Sequence, residues 1–271
     1  MNLKILNSKA QEKGSVKLPN QFSEPVRTDL IKKAVLTILA NNRQSYGAKP
    51  EAGKRHSAFL SKRRRKYRGT YGIGQSRTPR KVVSRSGTRF NYVGAVVPQT
   101  VGGRRAHPPK AEKVWTMSIN KKENRKAIRS AMSATVLKEI VEKRGHRVPE
   151  KYPFILSDDV TKIKKTTDLL KLLESLGFKE ELERTNQRKI RAGKGKTRGR
   201  KYKARTGVLF VVTEMCDLVY AANNIPGCDV VLAQNLNAYL LAPGGDPGRL
   251  TLYTESAIKK IEEEKLFEKT K

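Results

Sequence analysis

The chain has 271 residues, with 58 Lys and Arg against 25 Asp and Glu, a formal net charge of +33. Hydrophobic residues make up 37%, enough for part of the chain to bury a core in one or two domains. An evenly mixed globule of this charge is excluded, because it would repel itself unless a polyanion neutralised it. A membrane-spanning helix needs about 20 consecutive apolar residues, and the best run, Val208 to Val212, falls far short. Met1 to Ala10 has neither an apolar stretch nor a small-residue cleavage site, so no secretory signal is expected. Two cysteines, Cys216 and Cys228, read as reduced core thiols and not as a disulfide framework.

Met1 to Leu6 and Ser15 to Leu18 alternate like short strands, with Lys13-Gly14 as the turn. Ser23 and Pro25 open a helical stretch whose apolar face is Val26, Leu30, Ala34 and Ile38, widened by Ile31, Val35 and Leu39. Asn120 to Glu123 has capping-box spacing. It opens a long helix carrying Ile128, Ala131, Met132, Thr135 and Ile140 inward, with Gly145 as its stop. His146 follows that stop and is expected to face solvent.

The second half alternates. Tyr152 to Leu156 reads as a buried strand and Thr167-Asp168 as the start of a Leu-rich helix ending at Gly177. Gly207 to Val212 is the cleanest strand. A short helix over Glu214 to Ala222, a strand over Cys228 to Leu232, a helix over Leu236 to Leu241, a strand over Arg249 to Tyr253 and a helix over Thr254 to Glu268 complete the pattern. Short continuous apolar strands separated by helices predict an α/β fold: a three-layer domain with a mainly parallel central sheet.

Charge divides this body from two insertions. Arg43 to Lys113 holds 19 Lys and Arg against Glu51 and Glu112, a net of +17, and Arg184 to Arg205 holds 11 against none. These windows carry +28 of the +33. The predicted division is therefore 1–42 with 114–271 as a globular α/β domain, containing the basic segment 184–205, and 43–113 as an extended irregular basic loop.

The first insertion shows no sustained period and is punctuated by glycine and proline. A connection this long without its own elements is functional or disordered. Tyr46, Phe59, Tyr67, Tyr71, Phe90 and Tyr92 lie among its cations, the composition for tracking phosphates and stacking on bases. A localisation patch would account for Lys62 to Lys66 but not for the rest. In the second insertion, glycines alternate with cations from Arg191 to Lys201, a flexible backbone able to approach phosphates. The predicted nucleic-acid contacts are Lys62, Arg63, Arg64, Arg65, Arg68, Tyr71, Arg77, Arg80, Lys81, Arg85, Arg89, Arg104, Arg105 and His107 in the first segment. In the second they are Arg191, Lys194, Lys196, Arg198, Arg200, Lys201, Lys203 and Arg205.

Enzyme chemistry finds little support. Gly195-Lys196-Thr197 resembles the end of a phosphate-binding loop, but Ile190 stands where the first Gly belongs and the strand follows the loop. Gly72-Ile73-Gly74 lacks the strand-to-helix context of a dinucleotide fingerprint. Gly69 to Gly72 matches a GXXG loop without the flanking helices. His56, His107 and His146 share no helix face and have no Cys near them, so no metal site and no cofactor is expected. Asp158-Asp159 follows a strand and reads as a helix cap. No nucleophile-elbow motif is present.

The segment Gly102-Gly103-Arg104-Arg105-Ala106-His107-Pro108-Pro109-Lys110-Ala111-Glu112-Lys113 is followed by a helix containing Arg129-Ser130-Ala131. It resembles the universal large-subunit ribosomal protein L-four family in its archaeal form. Asn186 to Gly195 ahead of a Gly-Val-Leu strand, and Pro226-Gly227 leading to a strand and Asn235, agree with it. The resemblance covers essentially the whole chain, although Lys81 to Tyr92 does not match the family pattern. It implies a structural, non-enzymatic constituent of the large ribosomal subunit that binds large-subunit (23S-type) rRNA and supports subunit assembly and translation in the cytoplasm. It further implies a long loop lining the nascent-peptide exit tunnel beside ribosomal protein L-twenty-two, with no membrane and no small-molecule substrate as partner. The alternatives are an RNA-modifying enzyme, which would need a cofactor-binding strand-loop-helix, and a nucleic-acid-compacting protein, which would not need a buried α/β body.

Overall fold

A computed structural model describes residues 1–268. The chain divides into two compact units, Met1–Asn42 with Thr116–Lys271, and Arg43–Trp115.

The first unit is a mixed α/β body with small sheets. Its elements are β1 (Asn2–Leu6), β2 (Glu12–Lys17) and α1 (Thr28–Asn41) before the second unit. After it come α2 (Lys121–Val136), α3 (Lys138–Lys143), β5 (Ile155–Leu156), α4 (Thr166–Ser175) and α5 (Lys179–Asn186). They are followed by β6 (Lys189–Ile190), β7 (Tyr202–Lys203), β8 (Leu209–Val212), α6 (Asp217–Ala222), β9 (Asp229–Leu232), α7 (Ala238–Leu241), β10 (Thr251–Tyr253) and α8 (Glu255–Glu263). The second unit contributes β3 (Arg80–Ser86) and β4 (Arg89–Gly94).

One sheet has the order β2-β1-β5 and another β10-β8-β9. β1 pairs antiparallel with β2 and parallel with β5; β8 pairs parallel with both β9 and β10. A lone parallel bridge, Leu156 to Thr254, links the two sets. Strand side chains alternate in direction, and the core follows that alternation. Leu3, Ile5, Ile155, Leu209, Val211 and Tyr253 join a cluster with α1, α2, α7 and α8. Leu6, Leu156, Phe210, Val212 and Leu252 join a second cluster with α4 and α6. The short apolar strands are continuous in sequence because both directions are buried.

Several local expectations are corrected by contacts between distant residues. The β1–β2 turn is at Asn7 and not at Lys13-Gly14. Asn7 Oδ1 accepts from the Lys9 and Gln11 amides, both at 2.9 Å, an Asx turn that leaves Lys13 and Gly14 inside β2. The first helix begins at Thr28 and not near Ser23, because the Arg27 amide donates to Ser130 Oγ at 2.6 Å and Ser130 Oγ donates to the Pro25 carbonyl at 2.9 Å. Asn120 is the N-cap of α2 and half of the expected capping box forms: its side chain makes no cap bond, while Glu123 accepts from the Asn120 backbone and from Lys33 Nζ at 2.8 Å. The long helix is two. Leu137 is extended, and the Tyr152 hydroxyl takes the Thr135 carbonyl, the acceptor a continuous helix would offer to residue 139.

Asp158 does cap a helix, though a distant one: its Oδ1 accepts from the Ser256 amide at 3.1 Å, in the first turn of α8. His146 does not face solvent. It is 5% exposed, and its Nδ1 lies 2.7 Å from Oε1 of the fully buried Glu181. Glu181 also accepts from Arg184 Nε and Nη2, both at 2.7 Å, and from the Arg147 amide at 3.0 Å. Arg184, the first cation of the second basic window, is thus committed to the body; it also donates to the Thr206 carbonyl at 2.6 Å.

Candidate nucleic-acid interface

In the unit Arg43–Trp115, Ala95 is the single buried residue among those described. A chain with no apolar core is held by backbone bonds, tight turns and ring contacts. The segment carrying the family resemblance runs back beside residues 47–53. The Ala48 amide donates to the Pro109 carbonyl at 2.9 Å, and a Cβ on Gly47 would stand 2.6 Å from the Ala111 nitrogen. A Cβ on Gly103 would stand 2.0 Å from the Val97 carbonyl oxygen. No other residue fits either place.

The expectation of an irregular loop is corrected over residues 80–94, which form the β3–β4 hairpin. Its register runs from Arg80 opposite Gly94 to Ser86 opposite Arg89, with an irregularity between Val82 and Ser84. Gly87, at φ +57°, opens a two-residue turn of the kind hairpins favour. The Val, Phe and Tyr residues that favour extended backbone are present. They lie exposed on both faces, so no buried alternation marked them, and the bulge breaks the period further.

The predicted contacts fall into two groups. Lys62, Arg63, Arg64 and Arg65 are exposed on a small loop closed by the Ser61 amide bonding to the Arg68 carbonyl at 3.2 Å. These four, with Lys81, Arg89, Arg104, Arg105 and His107, make no side-chain hydrogen bond or ion pair among the described residues. The others are already engaged. Arg68 lies over the Phe59 ring at 4.4 Å and Arg77 over Tyr71 at 4.8 Å. Arg80 donates to the Ser76 carbonyl at 2.7 Å, and Arg85 donates to the Gly87 carbonyl at 2.7 Å. Phe59, Tyr71 and Phe90 therefore carry the protein's own guanidinium groups, those of Arg68, Arg77 and Arg85. Among the described residues, none of the 19 cations in Arg43–Trp115 pairs with an acid.

Sequence reasoning missed the densest ring cluster, because Trp115 lies just outside the charge window. Its ring stacks on Tyr46 (centroids 5.7 Å, planes 16° apart), with Arg43 3.7 Å and Lys113 4.3 Å from its centroid. Aromatics spaced 69 positions apart give no local signal.

The second basic segment folds as a small hairpin. β6 pairs with β7, Lys189 opposite Lys203 and Ile190 opposite Tyr202. The Arg191 amide donates to the Lys201 carbonyl at 2.8 Å and its Nε to the Arg200 carbonyl at 3.1 Å. Arg191 braces the turn, while Lys194, Lys196, Arg198, Arg200 and Lys203 are exposed and make no side-chain bonds among the described residues. Lys201 lies over Tyr202 at 5.5 Å, and Arg205 is half-buried.

The chain belongs to the ribosomal protein L4/L1 family, whose sequence profile matches residues 16–264. This is a family of structural ribosomal proteins, not of enzymes. The chain is 46% identical to the large ribosomal subunit protein uL4 of Nanoarchaeum equitans, over 98% of this chain and 100% of that one. It is 42% identical to the uL4 of Halobacterium salinarum (96% and 99% covered) and 45% identical to that of Methanococcoides burtonii (95% and 96%). Among the described residues, no helix is long and apolar enough to cross a membrane.

Proposed function

We propose that this chain is a structural constituent of the large ribosomal subunit in the cytoplasm, supporting assembly and translation by binding large-subunit rRNA. The observation that carries the reading is the set of unpaired cations in Arg43–Trp115. A polyanion is the partner that stabilises them, and relatives named as large-subunit proteins over nearly their full length point to rRNA. On this reading Lys62 to Arg65, Arg104 and Arg105 neutralise phosphates. The unit Arg43–Trp115 is the long segment that lines the nascent-peptide exit tunnel beside L-twenty-two. The body, read as three layers around one mainly parallel sheet joined through the Leu156–Thr254 bridge, positions the hairpin 189–203 as a second, independent rRNA contact.

The test is salt dependence. Each phosphate neutralised on a single strand contributes about −0.7 to the slope of log K against log salt, and somewhat more on a duplex. Changing Lys194, Lys196, Arg198 and Arg200 together to Gln is expected to shallow the slope by about 2–3, with little dependence on RNA sequence. A slope that is flat for the native protein overturns the reading; an unchanged slope in the variant removes the hairpin from it.

A further inference from the structure

The unit Arg43–Trp115 contains an open cleft of about 800 Å³ lined by Tyr46, Arg105, His107, Glu112, Lys113 and Trp115, among others. We propose that this cleft takes a single unpaired guanine base, an inference that rests on the RNA-binding reading and sharpens it.

Three observations converge. The first is the aromatic wall. The Tyr46 and Trp115 rings are stacked, and the cations over the indole, Arg43 and Lys113, belong to side chains that are exposed. An exposed cation holds an aromatic face less strongly than a nucleobase does. The base therefore displaces a cation from the indole, and the freed cation moves to the phosphate that arrives with the base.

The second is Trp115 Nε1, which is buried without a hydrogen-bond partner. Buried donors are almost always satisfied, so the wall around this indole is incomplete until something supplies an acceptor or loosens the packing. The third is Glu112. It is one of two acids in a segment of 19 cations. It lines the cleft together with Arg105, Lys110 and Lys113, yet it makes no ion pair with any of them among the described residues. A carboxylate beside three cations weakens phosphate binding, so its place there needs another reason.

That reason is base recognition. An ionised carboxylate only accepts hydrogen bonds, through two oxygens side by side. On the Watson–Crick edge, guanine offers adjacent N1–H and N2–H donors. Adenine and cytosine each put a ring-nitrogen acceptor beside their amino group, and uracil flanks its single N–H with two carbonyls. Guanine alone matches the carboxylate bidentately.

Trp115 is the single tryptophan of the chain, so its fluorescence reports on the cleft directly. The full chain is titrated with a single-stranded uridine nonamer carrying one central guanosine, and with the same nonamer carrying adenosine. Anisotropy of a 5′ dye follows binding anywhere on the protein. The expected result is saturable quenching of Trp115 by the guanosine strand, with affinity about tenfold above the adenosine strand. Glu112→Gln removes that preference, and it tightens the adenosine strand because a negative charge has left a phosphate-binding surface. A misfolded variant would weaken both strands, so the crossover is diagnostic. Anisotropy changes without quenching, or a guanosine preference that survives Glu112→Gln, overturns the cleft proposal and leaves RNA binding standing. No anisotropy change with either strand overturns both readings.

Discussion

In the body, acids and cations meet. Glu24 accepts from Arg129 at 3.0 Å, Lys33 reaches Glu123 at 2.8 Å, and Glu181 holds His146 and Arg184. Arg249, 2% exposed, donates to the carbonyls of Gly207, Leu240 and Gly227 and pairs with Asp229. In the unit Arg43–Trp115 the cations meet aromatic rings, hydroxyls and backbone carbonyls, or stand partly or fully exposed without a side-chain partner among the described residues. The same residue types therefore do different work. In the body Arg184 and Arg249 satisfy buried acceptors and hold the fold, whereas arginine in the second unit, like Arg198 and Arg200 in the hairpin 189–203, holds charge at the surface, where only an outside partner can neutralise it.

The contrast breaks most visibly if the second unit is removed. Asn41 Oδ1 accepts from the Met117 amide at 2.9 Å, so the body's two ends are adjacent and a short Gly/Ser linker in place of Arg43–Trp115 closes the gap without strain. Both hydrophobic clusters are drawn from residues outside that unit. The expected product is a soluble domain that melts cooperatively by circular dichroism and has lost RNA affinity on the order of a hundredfold or more. If the shortened chain unfolds, the division of labour between the units is wrong.

Glu181 tests the body's side of the comparison. Glu181→Ala leaves the His146 imidazole, the Arg184 guanidinium and the Arg147 amide without their shared acceptor. Breaking a buried ionic cluster by removing one member costs about 3–5 kcal/mol, which lowers Tm by on the order of 10 °C in a body of this size. Arg64→Gln, at an exposed unpaired position, is expected to change stability by no more than about 0.5 kcal/mol while weakening RNA binding. Thermal melts of the two variants side by side check this. Equal shifts would mean that the two kinds of charge are not distinct.

What could be read in the sequence follows the same line. The strand Leu209–Val212 was legible because two-sided burial leaves a continuous apolar run, the partly buried strand Asp229–Leu232 from its Val-Val-Leu run, and α4 from its leucines and Gly177. The cationic surface was legible because charge needs no partner in order to be counted. What was hidden depends on residues far apart in sequence: the Tyr152 hydroxyl ending α2 at Thr135, Ser130 delaying α1, and Tyr46 meeting Trp115. The β3–β4 hairpin was hidden for the opposite reason, since strands with both faces exposed carry no hydrophobic alternation. His146 was misplaced because a histidine after a helix-stopping glycine looks like surface. Nothing local announces a carboxylate 35 positions away.

That histidine supplies the finest distinction between the regions, a pH dependence confined to the body. Burial is the main cause holding the His146 pKa below its ordinary 6.5, against the opposing pull of Glu181. Near neutrality the ring is therefore uncharged and donates from Nδ1 to Glu181. Glu181 itself is held below 4.5: burial opposes this, but the bonds from Arg184 and His146 together outweigh it. Both native groups bind protons less readily than their unfolded counterparts, so both make stability fall as pH falls. The histidine's contribution is complete above pH 6.5 and is lost as pH drops from there toward its lowered native pKa. The glutamate's loss begins only below about 4.5. A single proton changes stability by at most about 1.4 kcal/mol per pH unit. Between pH 7 and 5.5 the expected effect is thus a fall in Tm of a few degrees. His146→Asn places an amide nitrogen where Nδ1 donates but cannot titrate, and is expected to flatten the melting temperature over that interval while leaving the acid limb below 4.5. A variant that keeps the native slope between pH 7 and 5.5 would assign the transition to another group and separate His146 from the body's stability.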